Sequence, residues 1–77
     1  MAGSYERIRS ILDKRPKGTP MSLEEANMIL DKSSVHIGLD PRDNKYFWFA
    51  IMNDNGGYNT PRGALNAAVE YLKNGGY

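Results

Sequence analysis

Seven residues in the middle of the chain, Tyr46-Phe47-Trp48-Phe49-Ala50-Ile51-Met52, are apolar or aromatic without a break, and Lys45 and Asn53 bound the run. Side chains in a strand alternate between faces, so a strand with one wet face carries a polar residue at every second position. This run carries none. It reads as a strand covered on both sides, with Tyr46, Trp48, Ala50 and Met52 on one face and Phe47, Phe49 and Ile51 on the other. A chain of 77 residues has little else with which to cover two faces. Either its own helices do so or one face is left for a partner.

The segments before the run supply helices. From Ser4 to about Lys14, Tyr5, Ile8, Ile11 and Leu12 recur at helical spacing, with Glu6, Arg9, Ser10 and Asp13 opposite. Arg15-Pro16-Lys17-Gly18-Thr19-Pro20 ends that helix, since two prolines and a glycine cannot continue it. Ser22-Leu23-Glu24-Glu25 then fits a capping box, in which the Ser22 hydroxyl and the Glu25 carboxylate satisfy free backbone N–H groups reciprocally. Met21 and Ala26 are placed to staple its start. Leu23, Ala26, Ile29 and Leu30 form the inner stripe of this second helix, which should fade by Lys32-Ser33-Ser34.

Val35-His36-Ile37-Gly38-Leu39 alternates as a strand, and Asp40-Pro41-Arg42-Asp43-Asn44 is turn chemistry. With Asp40 opposite Lys45, Leu39 faces Tyr46, Gly38 faces Phe47, Ile37 faces Trp48, His36 faces Phe49 and Val35 faces Ala50. Asp54-Asn55-Gly56-Gly57 reads as the next hairpin turn, because Asn-Gly after an apolar run is a strong turn signal. Tyr58-Asn59 is then a brief third strand. Thr60-Pro61 opens a last helix, a capping hydroxyl followed by proline at the first helical position. Ala64, Leu65, Ala68, Val69 and Leu72 make its inner stripe, and Asn74-Gly75-Gly76 ends it with a left-handed cap. The expectation is one small α+β domain over residues 1–77: two short helices, a three-stranded antiparallel meander, then a helix packed on the sheet.

Charge and composition narrow the function. The chain has no Cys and a formal net charge of +1, which offers neither a disulfide framework, nor a thiolate metal site, nor a global pull toward nucleic acid or membrane. No apolar run is long enough to span a bilayer, and Met1-Ala2-Gly3-Ser4 opens no export signal. A cytoplasmic setting, in the producing or an infected cell, is expected. Residues 1–17 carry Arg7, Arg9, Lys14, Arg15 and Lys17 against Glu6 and Asp13, while residues 18–40 carry Lys32 against Glu24, Glu25, Asp31 and Asp40. Such opposed segments can pair within the fold.

Catalytic groups are missing from the pattern. His36 is the only histidine, without the further His or Cys that metal sites and nucleophile triads draw upon. Asp40, Asp43 and Asn44 flank a turn and match no calcium loop. No enzyme activity, metal or cofactor is expected. Asn55 to Gly63 is glycine-rich ahead of a helix start, which makes Arg62 a candidate anion contact, although the lysine of a phosphate-binding loop is absent.

The aromatic strand remains the most informative stretch. Trp48, facing aliphatic neighbours, reads as core. Tyr46, Phe47, Phe49, Ile51 and His36 are the candidate partner-binding residues, because apolar surface that a fold leaves open marks an interface. A protein partner is expected first, with self-association into a homodimer as another way to cover that face. The alternative is a nucleic-acid binder using Arg7, Arg9, Lys14, Arg15 and Lys17, joined by Arg42 and Lys45, with sheet aromatics stacking on bases.

The stretch from Phe47 to Leu72 resembles two kinds of small protein. One is the arm-binding domain of phage-type integrases, whose three-stranded sheet precedes a helix and enters the DNA major groove. That resemblance implies basic residues on the strands, where this chain offers Arg42 and Lys45 near one turn. The other is the class of small phage-encoded proteins that block a host enzyme or defence complex, similar in size and in strand–strand–helix order. It implies an inhibitor or regulator from a phage or mobile element, acting by protein docking. Neither resemblance covers the first 33 residues.

Overall fold

A computed structural model describes residues 2–16, 18–51 and 53–75, with side chains from Tyr5 onward. Its elements are α1 (Ala2–Asp13), α2 (Leu23–Ile29), β1 (His36–Asp40), β2 (Lys45–Phe49), β3 (Asp54–Tyr58) and α3 (Pro61–Lys73). The α+β order expected from the sequence is the order observed.

Local chemistry sets the boundaries. The Ser22 hydroxyl accepts the Glu25 N–H at 3.0 Å and caps α2, but the Glu25 carboxylate is not turned back to complete the box. It takes the Arg15 guanidinium instead, tying the end of α1 to the start of α2. Thr60 caps α3 through the Gly63 N–H at 3.0 Å, with Pro61 at the first helical position. The α3 end is closed as expected by Gly75 at φ +87°, where a residue without Cβ adopts the left-handed conformation freely. Gly76, expected to share that cap, lies outside the described residues.

The sheet order is β1-β2-β3, antiparallel throughout. The β1–β2 register pairs His36 with Phe49, Ile37 with Trp48, Gly38 with Phe47, Leu39 with Tyr46 and Asp40 with Lys45, as the turn chemistry implied. Asn44 takes the left-handed conformation at φ 59° that closes the turn, one that asparagine tolerates better than most residues.

The second hairpin corrects the sequence reading. β2 stops at Phe49, and the chain reverses between Ala50 and Asn53, where the Ala50 N–H donates to the Asn53 carbonyl at 2.7 Å. Met52, expected to continue β2, lies outside the described residues. Asp54-Asn55-Gly56-Gly57 is not the turn but most of β3, paired Phe49 to Asp54 and Trp48 to Asn55. A register shift between Tyr46 and Trp48 and a φ of +87° at Gly57 mark a bulge. Glycine is what a bulge of this kind requires, so the same residues that signal a tight turn are used inside a strand.

All three helices lie on one side of the sheet. Ile8 and Leu12 of α1, Ala26 and Ile29 of α2, and Ala64, Leu65, Ala68 and Val69 of α3 form a single core with Met21, Leu30, Val35, Ile37 and Trp48. Trp48 is 7% exposed and lies 4.9 Å from the Tyr71 ring, centroid to centroid. Small residues on α3 let its backbone approach that large side chain closely. The result is two layers, helices on sheet, and the opposite sheet face has no helix over it.

Candidate functional site

Side-chain alternation puts His36, Gly38 and Asp40 of β1, Lys45, Phe47 and Phe49 of β2, and Asp54 and Gly56 of β3 on the uncovered face. The His36 and Phe49 rings stack at 5.5 Å with 21° between planes, and Phe47 lies 5.8 Å from Phe49 at 34°. A three-ring platform results. The cross-strand His36–Phe49 pair stabilises the sheet modestly, yet Phe49 remains 42% exposed and Ile51 75% exposed.

Two glycines make room for the platform. A Cβ placed on Gly38 would stand 2.4 Å from Phe47 Cζ, so the Phe47 ring lies directly over that bare backbone. A Cβ on Gly56 would be 3.3 Å from Phe47 Cβ. Phe47 is thus half-buried by the flanking strands, whereas Phe49 stands proud. Phe47, Phe49, Ala50, Ile51, Asn53 and Asp54 line an open depression of about 620 Å³.

Of the residues expected to bind a partner, His36, Phe47, Phe49 and Ile51 are brought together here. Tyr46 is not. It faces the helices, opposite Leu39 and Tyr58, half-buried against the core.

The cations expected for nucleic acid are spread over α1 and the β1–β2 turn, and most have partners within the chain. Arg7 donates to the Asp31 carbonyl, Arg9 to Asp13 at 3.0 Å and Arg15 to Glu25. Arg42 forks onto both oxygens of Asp40 at 3.1 and 3.0 Å, and Lys45 reaches Asn59. The Arg42 guanidinium, with help from the Arg42 backbone N–H, holds the Asp40 carboxyl below its ordinary value. Lys14 is exposed just beyond the end of α1, and Lys17 lies outside the described residues. The pairing of the basic first segment with the acidic second therefore accounts for Arg15, and in part for Arg7.

Arg62 borders a cleft of about 600 Å³ between α1, the loop through Gly18–Met21 and the start of α3, which it shares with Arg9, Thr19, Thr60 and Asn66. Its Nε is buried with no hydrogen-bond partner among the described residues. Thr60, however, is spent on capping α3, and Arg9 on Asp13.

One further residue carried no signal in the sequence. Asn27, on α2, donates from Nδ2 to the Ile37 carbonyl at 3.0 Å and accepts the Ile37 N–H on Oδ1 at 2.8 Å. Its amide occupies the free edge of β1 as a neighbouring strand would. A polar residue in mid-helix ordinarily faces water, so only the three-dimensional arrangement reveals this role.

Among the described residues no group of three or more His, Cys, Asp or Glu could hold a metal ion, and no helix is long and apolar enough to cross a membrane. No protein-family model matches the chain, and no curated protein or solved structure shows significant similarity to it. The partial resemblances of Phe47–Leu72 accordingly rest on pattern alone.

Proposed function

We propose that this chain is a small non-enzymatic docking module that binds another protein through the open face of its sheet. The observation that carries the reading is the His36–Phe49–Phe47 platform, extended by Ile51, on the face that all three helices leave bare. Stacked aromatics backed by a rigid sheet lose little conformational entropy on binding, which is why such residues concentrate at the energetic centres of interfaces. Protein is favoured over nucleic acid because Asp54 borders this face while five of the expected phosphate contacts are engaged internally. Inhibition or regulation of a larger complex is the activity that such a docking module would perform.

The test compares wild type with Phe49→Ala as baits, each with and without nuclease. Phe49 is half out of the protein already, so the variant should keep its circular dichroism spectrum. A single protein retained by wild type, insensitive to nuclease and lost with Phe49→Ala, is the expected result. Retention unaffected by Phe49→Ala would remove this face as the interface, and retention abolished by nuclease would transfer the function to nucleic acid.

A further inference from the structure

Three kinds of protein surface could complete an open sheet: a strand added at an edge, a second sheet from another copy, or a helix laid across the face. Both edges resist the first. On β1 the outward N–H and C=O of Ile37 are already bonded to the Asn27 amide. On β3 the bulge at Gly57 breaks the regular ladder that an added strand would need.

The size of the face argues against a stable dimer of the second kind. Three strands of five residues span roughly 16 Å by 14 Å, a footprint on the order of 220 Å² per copy. Even doubled for side-chain relief, two such faces together bury roughly 900 Å², below the ~1,200 Å² at which specific, stable interfaces begin. A helix of about three turns, roughly 16 Å long and 10 Å wide, matches the footprint. Reversible association is what so small a contact supports.

Charge adds a requirement. Asp54 is the one ionisable group among the described residues lining the depression beside Phe49 and Ile51, and its carboxylate has no hydrogen-bond or ion-pair partner among the described residues. The other acid on this face, Asp40, is already matched by Arg42.

Resting on the docking reading above, we infer that the partner presents an amphipathic helix, laid across the His36–Phe49–Phe47 platform, with a Lys or Arg at the end that meets Asp54. The apolar stripe of the helix covers Phe49 and Ile51, and its cation supplies the charge that Asp54 lacks.

Two displayed peptide libraries test this against the full-length chain, one on a helix-forming scaffold and one on an extended, β-branched scaffold. Enrichment is expected from the helical library, with apolar residues spaced i, i+4 and a Lys or Arg at one fixed position. With Asp54→Lys as bait, that position should invert to Glu or Asp, and Phe49→Ala should weaken the selected peptides at least tenfold. Peptides that depend on Phe49 but come from the extended library, or whose charge ignores position 54, overturn the helix and leave the docking face standing. Failure of both libraries to yield a Phe49-dependent peptide overturns it too. Helical peptides indifferent to Phe49→Ala would instead remove the face itself. A Phe49-dependent dimer in sedimentation equilibrium, or Phe49-dependent binding of a single-stranded oligonucleotide, would assign the platform to another occupant.

Discussion

Replacing Asn27 by Ala removes two hydrogen bonds that join α2 to the edge of β1, at 2.8 and 3.0 Å. Each bond is worth about 0.5–1.5 kcal/mol net, so the pair contributes roughly 1–3 kcal/mol. Alanine is the better helix former by about 0.6 kcal/mol, which offsets part of the loss. Water can also reach the half-exposed edge and re-bond Ile37. A net destabilisation of about 1.5 kcal/mol is therefore expected, against a total of about 4–12 kcal/mol for a domain of this length. At about 4–8 °C per kcal/mol, Tm should fall by roughly 6–12 °C. Urea unfolding followed by circular dichroism should show a lower midpoint with an unchanged slope, and the Ile37 amide should exchange faster. Asn27→Asp separates the two bonds. It keeps an acceptor for the Ile37 N–H but sets a carboxylate against the Ile37 carbonyl, so the folded state raises the pKa of the introduced group. Below the ordinary carboxylate range the group is protonated and can donate, and its deficit relative to wild type should narrow; above the raised value the deficit should be full. Stability of Asn27→Ala within about 0.5 kcal/mol of wild type, with unchanged Ile37 protection, would refute the edge-capping account.

Gly38→Ala should spare the fold and damage the platform. The new Cβ meets the far end of the Phe47 ring at 2.4 Å, and that ring can swing toward solvent, so calorimetry should show a loss of at most about 1 kcal/mol while partner binding falls at least tenfold. A Tm drop that accounts for the lost binding would contradict this. Thr60→Ala removes the α3 cap and should cost about 1 kcal/mol, read as a lowered Tm with partner affinity preserved. The Asp40 carboxyl should titrate below its ordinary value by NMR, because Arg42 bonds its charged form. A depressed folded-state value means that the contact supports the fold above the ordinary carboxylate range and is lost as pH falls through the depressed one. Arg42→Ala should return the titration toward normal, and an unchanged curve would show that the pair does not persist in solution.

The first hairpin was legible because two independent signals agree on it. Asp40-Pro41-Arg42-Asp43-Asn44 fixes where the chain turns, and the alternation of Val35, Ile37 and Leu39 fixes which face is buried, leaving one register that satisfies both. The second hairpin was not, because Asn55-Gly56-Gly57 has two uses. Left-handed freedom serves a bulge as well as a turn, and here Gly56 also has to pass beside Phe47. Nothing local says that Ile51, an apolar residue 75% exposed, belongs to the loop. The helix stripes show that α1, α2 and α3 each bury one face but not on which side of the sheet. That side follows from packing. Val35, Ile37 and Trp48 offer aliphatic depth that three helices can share in one core, whereas Phe47 already rests on Gly38. His36, Phe47, Phe49 and Ile51 are therefore identifiable as candidates from the sequence, while the structure places Tyr46 on the helix side of the sheet and Asn27 gives no sign in the sequence.

β3 brings no buried side chain to the domain: of Asp54–Tyr58 only Tyr58 is even half-covered. The strand is held chiefly by its ladder to β2, and its bulge shortens that ladder. Segments so held sit at the low end of the range of local opening energies. Behind it lies Tyr46-Phe47-Trp48-Phe49-Ala50-Ile51, six uncharged residues without a proline, five of them aromatic or β-branched, the composition of a sequence that stacks into fibrils once its edge is bare. Excursions in which β3 peels away, well short of global unfolding, would turn β2 into that edge. Tyr58, packed against the core, is the residue that fastens this sparsely furnished strand over β2.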